Sequence, residues 1–512
     1  MDHSPAAPAA PSWLPVLRRA SPFLCLVYVV YLFASFRFGT EGLAEHDGYF
    51  HTRYAQMLPA RGLSRQFPWT QASTWKEQFC DKEFLFHVIM VPFATNVDDP
   101  LKGVRFFSVL IAAAVFIALY LVLRGQSVPA PELFAMLLLC LGGELPFRLG
   151  MIRSHVLSII LALIGMHLLY RGRWKAVAIL GFVYAWAYAF PFVLVILAVA
   201  LAAGKWLAGE KLDWRLPCAA LAGVVLGLIA HPYFPNTILN LWVVLRDVLF
   251  ATDNASGLRQ GDEMYPLNGR EIMQRFPLYH LVLAGLLVSG WRFARKASPE
   301  LLGTLLAALI WHAAAMMFAR FFEYSVPLLA LAAGLAVRDL LADVDVAKFI
   351  SEQRLKFAGI VTALALVLTA AHIQSMYEWI LNEKLATPPR FREACKWLSE
   401  HTEPGETVVD LWWTDFPELY YFGYREHYVW GLDPTYTYRF SPQLALALEK
   451  MKTGEMAVHG ETLAKTFNAR FMVMQNWSKA HTTQPPGKRT WVPVYADENA
   501  AVYALTGPDG PP

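Results

Sequence analysis

The chain has 512 residues, of which 56% are hydrophobic and 17% charged, where an ordinary soluble domain carries about 25% charged residues. That balance excludes a soluble globular protein for most of the length. Lys and Arg outnumber Asp and Glu by 44 to 41, and this net charge of +3 gives no basis for a nucleic-acid partner or a polybasic membrane patch.

A membrane-crossing helix needs about 20 mostly apolar residues. Eleven such stretches follow in order: 22–39, 102–123, 131–147, 154–170, 175–191, 192–208, 216–231, 277–291, 300–318, 321–340 and 357–374. The Pro/Ala-rich first twelve residues and the rest of 1–20 lack a cleavage site after a short apolar core, so the first stretch reads as a retained helix, not a removed signal peptide. Arg18 and Arg19, Arg124, "RGRWK" at 171–175, Lys205 with Lys211 and Arg215, "WRFARK" at 291–296, and Arg354 with Lys356 all fall on one side. Basic flanks are retained in the cytoplasm, so the N-terminus is inside and the C-terminus outside a cytoplasmic (inner) membrane.

Three extracytoplasmic segments are too long to be turns: 41–101, 232–276 and 375–512. In the first, the short apolar piece 84–94 reads as an interfacial or re-entrant helix. In the last, "FREACKWLSEHT" has helical spacing, "PGE" is a turn and "TVVDLWW" reads as a strand. The expected fold class is therefore a polytopic α-helical membrane protein, residues 1–374 with about eleven transmembrane helices, carrying a small α/β extracytoplasmic domain in 375–512. Of five cysteines, only Cys80 and Cys395 fall outside the membrane, which leaves one disulfide open.

Charged groups gather in the first outer segment. "GLAEHDGYFHTRYAQ" at 42–56 holds Glu45, His46, Asp47, His51 and Arg53, and "CDKEF" adds Asp81 and Glu83. One reading makes Asp47 the N-cap of a helix starting at Gly48. The other takes the carboxylates as ligands of a hard divalent cation, or as a base that activates an acceptor. His51 and His87 are candidate acceptor-binding groups or plain hydrogen-bonding histidines. His231, in "AHPYFPN", reads as a structural helix stop because Pro232 and Pro235 follow it.

These segments resemble the GT-C superfamily of glycosyltransferases that use lipid-linked sugars. "HDGYFHTRYA" is similar to the Asp-x-Tyr stretch of the oligosaccharyltransferase catalytic subunit. "EPGETVVDLWWTDF" looks like the stretch holding that subunit's Trp-Trp-Asp-Tyr-Gly motif, except that Thr414 separates Trp413 from Asp415 and Phe-Pro replaces Tyr-Gly. The resemblance implies transfer of a sugar or oligosaccharide from a polyprenyl-phosphate or polyprenyl-diphosphate donor to a glycan, lipid or protein acceptor at the outer membrane face. It implies that Asp47, with Glu45 beside it, is catalytic. A divalent cation, magnesium or manganese, is the candidate cofactor, with Asp47, Asp81, Glu83, Asp262 and Glu263 as ligands.

A donor phosphate at the interface needs cations. Arg153 and His155 in "MIRSHVLS" and Arg320 in "FARFFEYSVP" stand at outer helix ends, and guanidinium bonds two phosphate oxygens at once. The competing reading pairs Arg320 with Glu323 one helical turn away. Trp412, Trp413 and Asp415 are candidates for acceptor binding, through ring stacking and hydroxyl bonding, or for the core of a small domain. A transporter or flippase and a non-catalytic membrane scaffold remain the alternatives in function.

The Lys/Arg asymmetry generates a first prediction. A reporter fused after Gly125, Arg173 or Lys296 reads out as cytoplasmic, and one after Asn382 or at the C-terminus reads out as external. A cytoplasmic C-terminus overturns the topology and the placement of every outer site residue.

Overall fold

Ten of the eleven apolar stretches form single helices in the computed structural model, and the third does not. The structure describes residues 14–43, 45–96, 98–249, 258, 260–293, 297–383, 388–458, 460–476 and 491–506. The Pro/Ala-rich opening tract, Arg295 and Lys296 lie outside these residues. Among the described residues, 4 helices are long and apolar enough to cross a membrane, and shorter apolar helices accompany them. The chain is a multi-pass membrane protein.

The helices pack where small residues remove side-chain bulk. A Cβ on Gly223 would lie 2.0 Å from the Ala178 carbonyl oxygen, so the helices Trp174–Ala187 and Arg215–Ile229 touch backbone to backbone. Gly204 and Gly303 do the same for Val193–Leu207 and Pro299–Ala315. Small residues at such crossings replace the hydrophobic drive that lipid tails cannot supply.

The expected helix 131–147 is a correction. Pro131–Met136 is helical, a 3-10 turn covers Leu137–Leu139, and a second short helix occupies Leu145–Leu149. Gly142 and Gly143 interrupt it: Phe276 packs where a Gly142 Cβ would stand, and the Gly143 amide donates to the Arg275 carbonyl at 2.8 Å. The segment still runs most of the length of the helix Phe322–Leu341. Arg338, near the C-terminus of Phe322–Leu341, donates to the Gln126 carbonyl at 3.2 Å, whereas Glu323, at the helix's other end, accepts from Arg148. Those ends are roughly 22 Å apart at 1.5 Å per residue. Irregular backbone at that depth is tolerated because protein covers it, and Leu138, Leu139, Leu141 and Leu145 are all buried.

The last long helix runs Arg354–Glu383, beyond the expected end at 374. Its Trp379 is fully buried and stacks on Phe36 at 4.1 Å. The 12-residue helix Phe84–Thr95 is about 18 Å long, too short to cross an apolar layer of about 30 Å, in keeping with the interfacial reading.

Beyond the helices lies a five-stranded sheet, order β2-β1-β3-β5-β4, made of β1 (Thr407–Asp410), β2 (His427–Tyr428), β3 (Phe471–Gln475), β4 (Trp491–Ala496) and β5 (Ala500–Leu505). β1 runs parallel to β2 and β3, and β5 runs antiparallel to β3 and β4. The first outer segment joins its edge: Tyr428 donates to the Trp69 carbonyl, and the Gln71 and Ala72 amides donate to the carbonyls of Tyr428 and Val429. Cys80 and Cys395 are both free and buried, so the open disulfide is not formed.

Candidate functional site

Asp47 is not a cap. It is the first residue of the helix Asp47–Arg61, with His46 in the N-cap position and no side-chain capping bond. Its carboxylate meets Arg153 instead, Oδ2 to Nη2 at 2.5 Å. The same guanidinium reaches Glu263, Nη1 to Oε1 at 3.1 Å. Arg153 therefore joins the first outer segment, the end of the broken crossing and the second outer segment. Glu263 is half-buried, and its partial desolvation favours the neutral form, but Arg153, Arg148 and Arg320 nearby overcome this and hold its carboxyl well below the usual carboxylate range.

Glu263 opens onto a cavity of about 870 Å³, within the usual range for ligand sites. Arg148, Asp262, Tyr265, Arg275 and Arg320 share its wall. The proposed pairing of Arg320 with Glu323 is overturned: Glu323 accepts from Arg148 Nε at 2.5 Å. Among the described residues no carboxylate pairs with Arg320, whose Nη1 contacts the weak acceptor Met264 Sδ at 3.3 Å. Its guanidinium is thus the cation in the wall with donors left for a ligand. Arg275 is held by Glu144.

Two expected site residues turn away. Glu45 is 4% exposed and spends both oxygens, accepting from the Ile152 amide at 2.7 Å and from Arg37 at 3.2 Å. It fixes the strand of chain that carries Arg153, and a carboxylate so engaged is a poor base. His155 is buried and donates from Nε2 to the Arg148 carbonyl at 3.0 Å, so it steadies Arg148 and offers a phosphate nothing.

The five carboxylates assigned to one hard cation divide into two clusters. Asp47 and Glu263 already hold the positive charge of Arg153, while Asp262 is exposed on the cavity wall. Asp81 and Glu83 belong with His87 and His51: His87 Nδ1 lies 2.9 Å from both Asp81 oxygens, and His51 Nδ1 lies 3.7 Å from Glu83 Oε2. These residues do not fit a single oxygen-ligand magnesium or manganese site. His51 and His87 are buried against each other, which removes them from an acceptor surface.

The C-terminal region that carries the sheet reaches the site through residues that sequence reasoning missed. Arg390 Nη2 donates to His46 Nε2 at 2.6 Å, and Nη1 donates to Gln475 Oε1 at 2.8 Å. Gln475 in turn donates to Asp415. Burial first, then Arg390 and Arg153, push the His46 pKa down to about 3, so it accepts this bond as a neutral ring. Asp415 is thus linked to the neighbour of Asp47 and does not line the cavity. Trp412 and Trp413 pack onto the domain core, with Lys452 over the Trp412 ring at 5.2 Å, so they present no free stacking platform. Arg148 had a signal, being an arginine at the rim of an apolar stretch. Arg390, in "PPRF", had none.

No protein-family model matches the chain, and no curated protein matches it in sequence. Solved structures do share its fold. It is similar to the archaeal oligosaccharyltransferase AglB from Archaeoglobus fulgidus, in complex with an inhibitory peptide and a dolichol-phosphate, with TM-score 0.64 and 14% identity over 90% of this chain and 70% of that one. It is also similar to ArnT from Cupriavidus metallidurans bound to undecaprenyl phosphate, with TM-score 0.56 and 13% identity over 97% and 98%. The arabinofuranosyltransferase AftD from Mycobacteria matches with TM-score 0.53 and 16% identity, over 95% of this chain and 41% of that one.

Asp415 yields a pH prediction. Burial raises its pKa from 3.8 to about 7. The folded protein therefore holds this proton more tightly than the unfolded chain, and the stability it contributes is full below about pH 4 and lost as pH rises through about 7. Asp415→Asn mimics the protonated acid, so its thermal midpoint falls less between pH 4 and 7 than that of wild type. Parallel curves for the two proteins refute the assignment.

Proposed function

We propose that the chain is a glycosyltransferase that moves a sugar or oligosaccharide from a polyprenyl-phosphate or polyprenyl-diphosphate donor to an acceptor at the outer face of the cytoplasmic membrane. One observation carries this reading: Arg153 bridges Asp47 to Glu263, and Glu263 shares a cavity wall with the unpaired cation Arg320. A candidate base is thereby linked, through Arg153 and Glu263, to the wall of the cavity that holds a phosphate-binding cation. The dolichol-phosphate and undecaprenyl phosphate in the similar AglB and ArnT structures support a lipid phosphate as the donor's anchor.

The acceptor's nucleophilic atom attacks the anomeric carbon of the sugar and passes its proton to Asp47. The bond from that carbon to the phosphate oxygen breaks. The charge left on the phosphate is balanced by Arg320, with Arg148 beside it, and this electrostatic balance lowers the barrier. Arg153 keeps Asp47 aimed and Glu45 keeps Arg153 in place. Of the charged residues that line the cavity, Asp262, Glu263, Glu271, Arg275 and Arg320 stand at helix ends and in connecting segments, and Glu144 and Arg148 follow the break in 131–149, whereas transporter sites are usually built midway along broken helices.

Asp47→Asn preserves size and leaves the helix start intact, yet it cannot take the proton. Transfer of label from membrane-bound polyprenyl-linked sugar falls by about a hundredfold or more, the usual scale for a lost general base. Transfer equal to wild type, at matched expression and thermal stability, moves the base elsewhere. Arg320→Ala separately weakens binding of a polyprenyl-phosphate analogue by roughly tenfold or more. Arg320→Lys restores only part of it because the two-pronged donor is gone. Undiminished binding to the Ala variant removes Arg320 from the donor site.

A further inference from the structure

The cluster of His51, Glu83, His87 and Asp81 is not used by the transfer reaction. His51 projects from the helix Asp47–Arg61, one turn after Asp47, and His87 from the first turn of Phe84–Thr95. His51 Nδ1 and His87 Nε2 are 2.8 Å apart, and ligand atoms of His51, Glu83 and His87 all lie within 4.8 Å of one another. Asp81 grips His87 Nδ1 with both oxygens at 2.9 Å, which fixes the ring and points the bare Nε2 into the cluster. Metal-ligating histidines are commonly oriented by a carboxylate in this way.

We propose that His51, His87 and Glu83 bind a divalent cation of borderline softness, with zinc as the best fit, and that Asp81 orients His87 for it. Two imidazoles and one carboxylate suit zinc and its neighbours better than magnesium or calcium, which take oxygen ligands. A tetrahedral zinc at about 2.05 Å from each nitrogen sets two ligand nitrogens roughly 3.3 Å apart. The observed 2.8 Å between the nitrogens and 3.7 Å from His51 to Glu83 bracket that spacing, and with all three ligand atoms within 4.8 Å of one another side-chain rotations close the site.

Charge is an independent argument. Asp81 is 3% exposed, and the Glu83 side chain is 16% exposed. Among the described residues neither forms an ion pair with a Lys or Arg, and Lys82 instead leans over the Trp75 ring. Two carboxylates shielded from solvent with no Lys or Arg partner leave a negative charge that a divalent cation balances. The more open Glu83 edge is the entry path and the place for a fourth ligand. To bind, His51 carries its proton on Nε2 instead of donating from Nδ1 to His87. The cation then clamps the helix bearing Asp47 to Phe84–Thr95.

The test is metal retention by the full-length protein in detergent, independent of any transfer assay. Protein stripped by a chelator is reloaded with Zn2+, freed of excess and assayed for zinc per chain, with Co2+ loading as a spectroscopic check for tetrahedral nitrogen and oxygen ligation. Wild type retains about one zinc, and zinc raises its thermal midpoint. His87→Ala and Glu83→Gln lose retention, while Asp81→Asn weakens affinity by about 10–100-fold. Asp47→Asn keeps the zinc, which separates this site from the reaction centre. Should His87→Ala fail to fold, Asp81→Asn and Glu83→Gln carry the same test. The proposal fails if stripped wild type retains no zinc, or if retention is lost with Asp47→Asn but survives in Glu83→Gln and Asp81→Asn.

Discussion

The guanidinium of Arg153, held between Asp47 and Glu263, is the contact on which the site depends. A planar cation can serve two carboxylates at once, so one side chain fixes three separate stretches of chain. Its Nη2 lies 2.5 Å from Asp47 and its Nη1 3.1 Å from Glu263, and Glu45 secures the backbone just before it through the Ile152 amide. Removing any partner would leave a partly buried charge unpaired, which costs far more than the pair contributes.

The same logic governs the surrounding charges. Arg148 is neutralised by Glu323, Arg37 by Glu45 and Arg275 by Glu144. Against that background Arg320 stands out, because its nearest polar contact is a thioether. Pairing Arg148 and Arg275 leaves Arg320 as the place on the cavity wall with most donors for a ligand. The broken crossing makes this possible: a continuous helix over 131–147 would not fold the Leu145–Leu149 turn back to bring Arg148 against Glu323.

Rigidity comes from the C-terminal region that carries the sheet. Arg53 donates from Nε to the Tyr421 carbonyl at 3.1 Å and lies 4.4 Å from the Tyr424 ring centroid, while Arg390 bonds His46. The helix bearing Asp47 is therefore clamped on one face by Phe416–Phe422 and on another by Phe84–Thr95, through the His51 to His87 contact. Asp415, the residue most similar in context to the oligosaccharyltransferase motif, acts in this bracing network and not at the cavity.

Composition and the spacing of apolar runs determined the membrane class, ten of the helices and the acidic cluster around Asp47, because each is a local property of consecutive residues. Which charges meet was decided only by the tertiary structure. Glu45 bonds Ile152 across 107 positions, Arg153 bonds Glu263 across 110, and Arg390 bonds His46 across 344. No periodicity encodes such distances. The sequence put Glu45 and Asp47 two residues apart as candidates, but packing sent one into a buried pair with Arg37 and left the other on Arg153. A side chain's neighbours are set by how helices pack, and one turn of a helix is enough to reverse them.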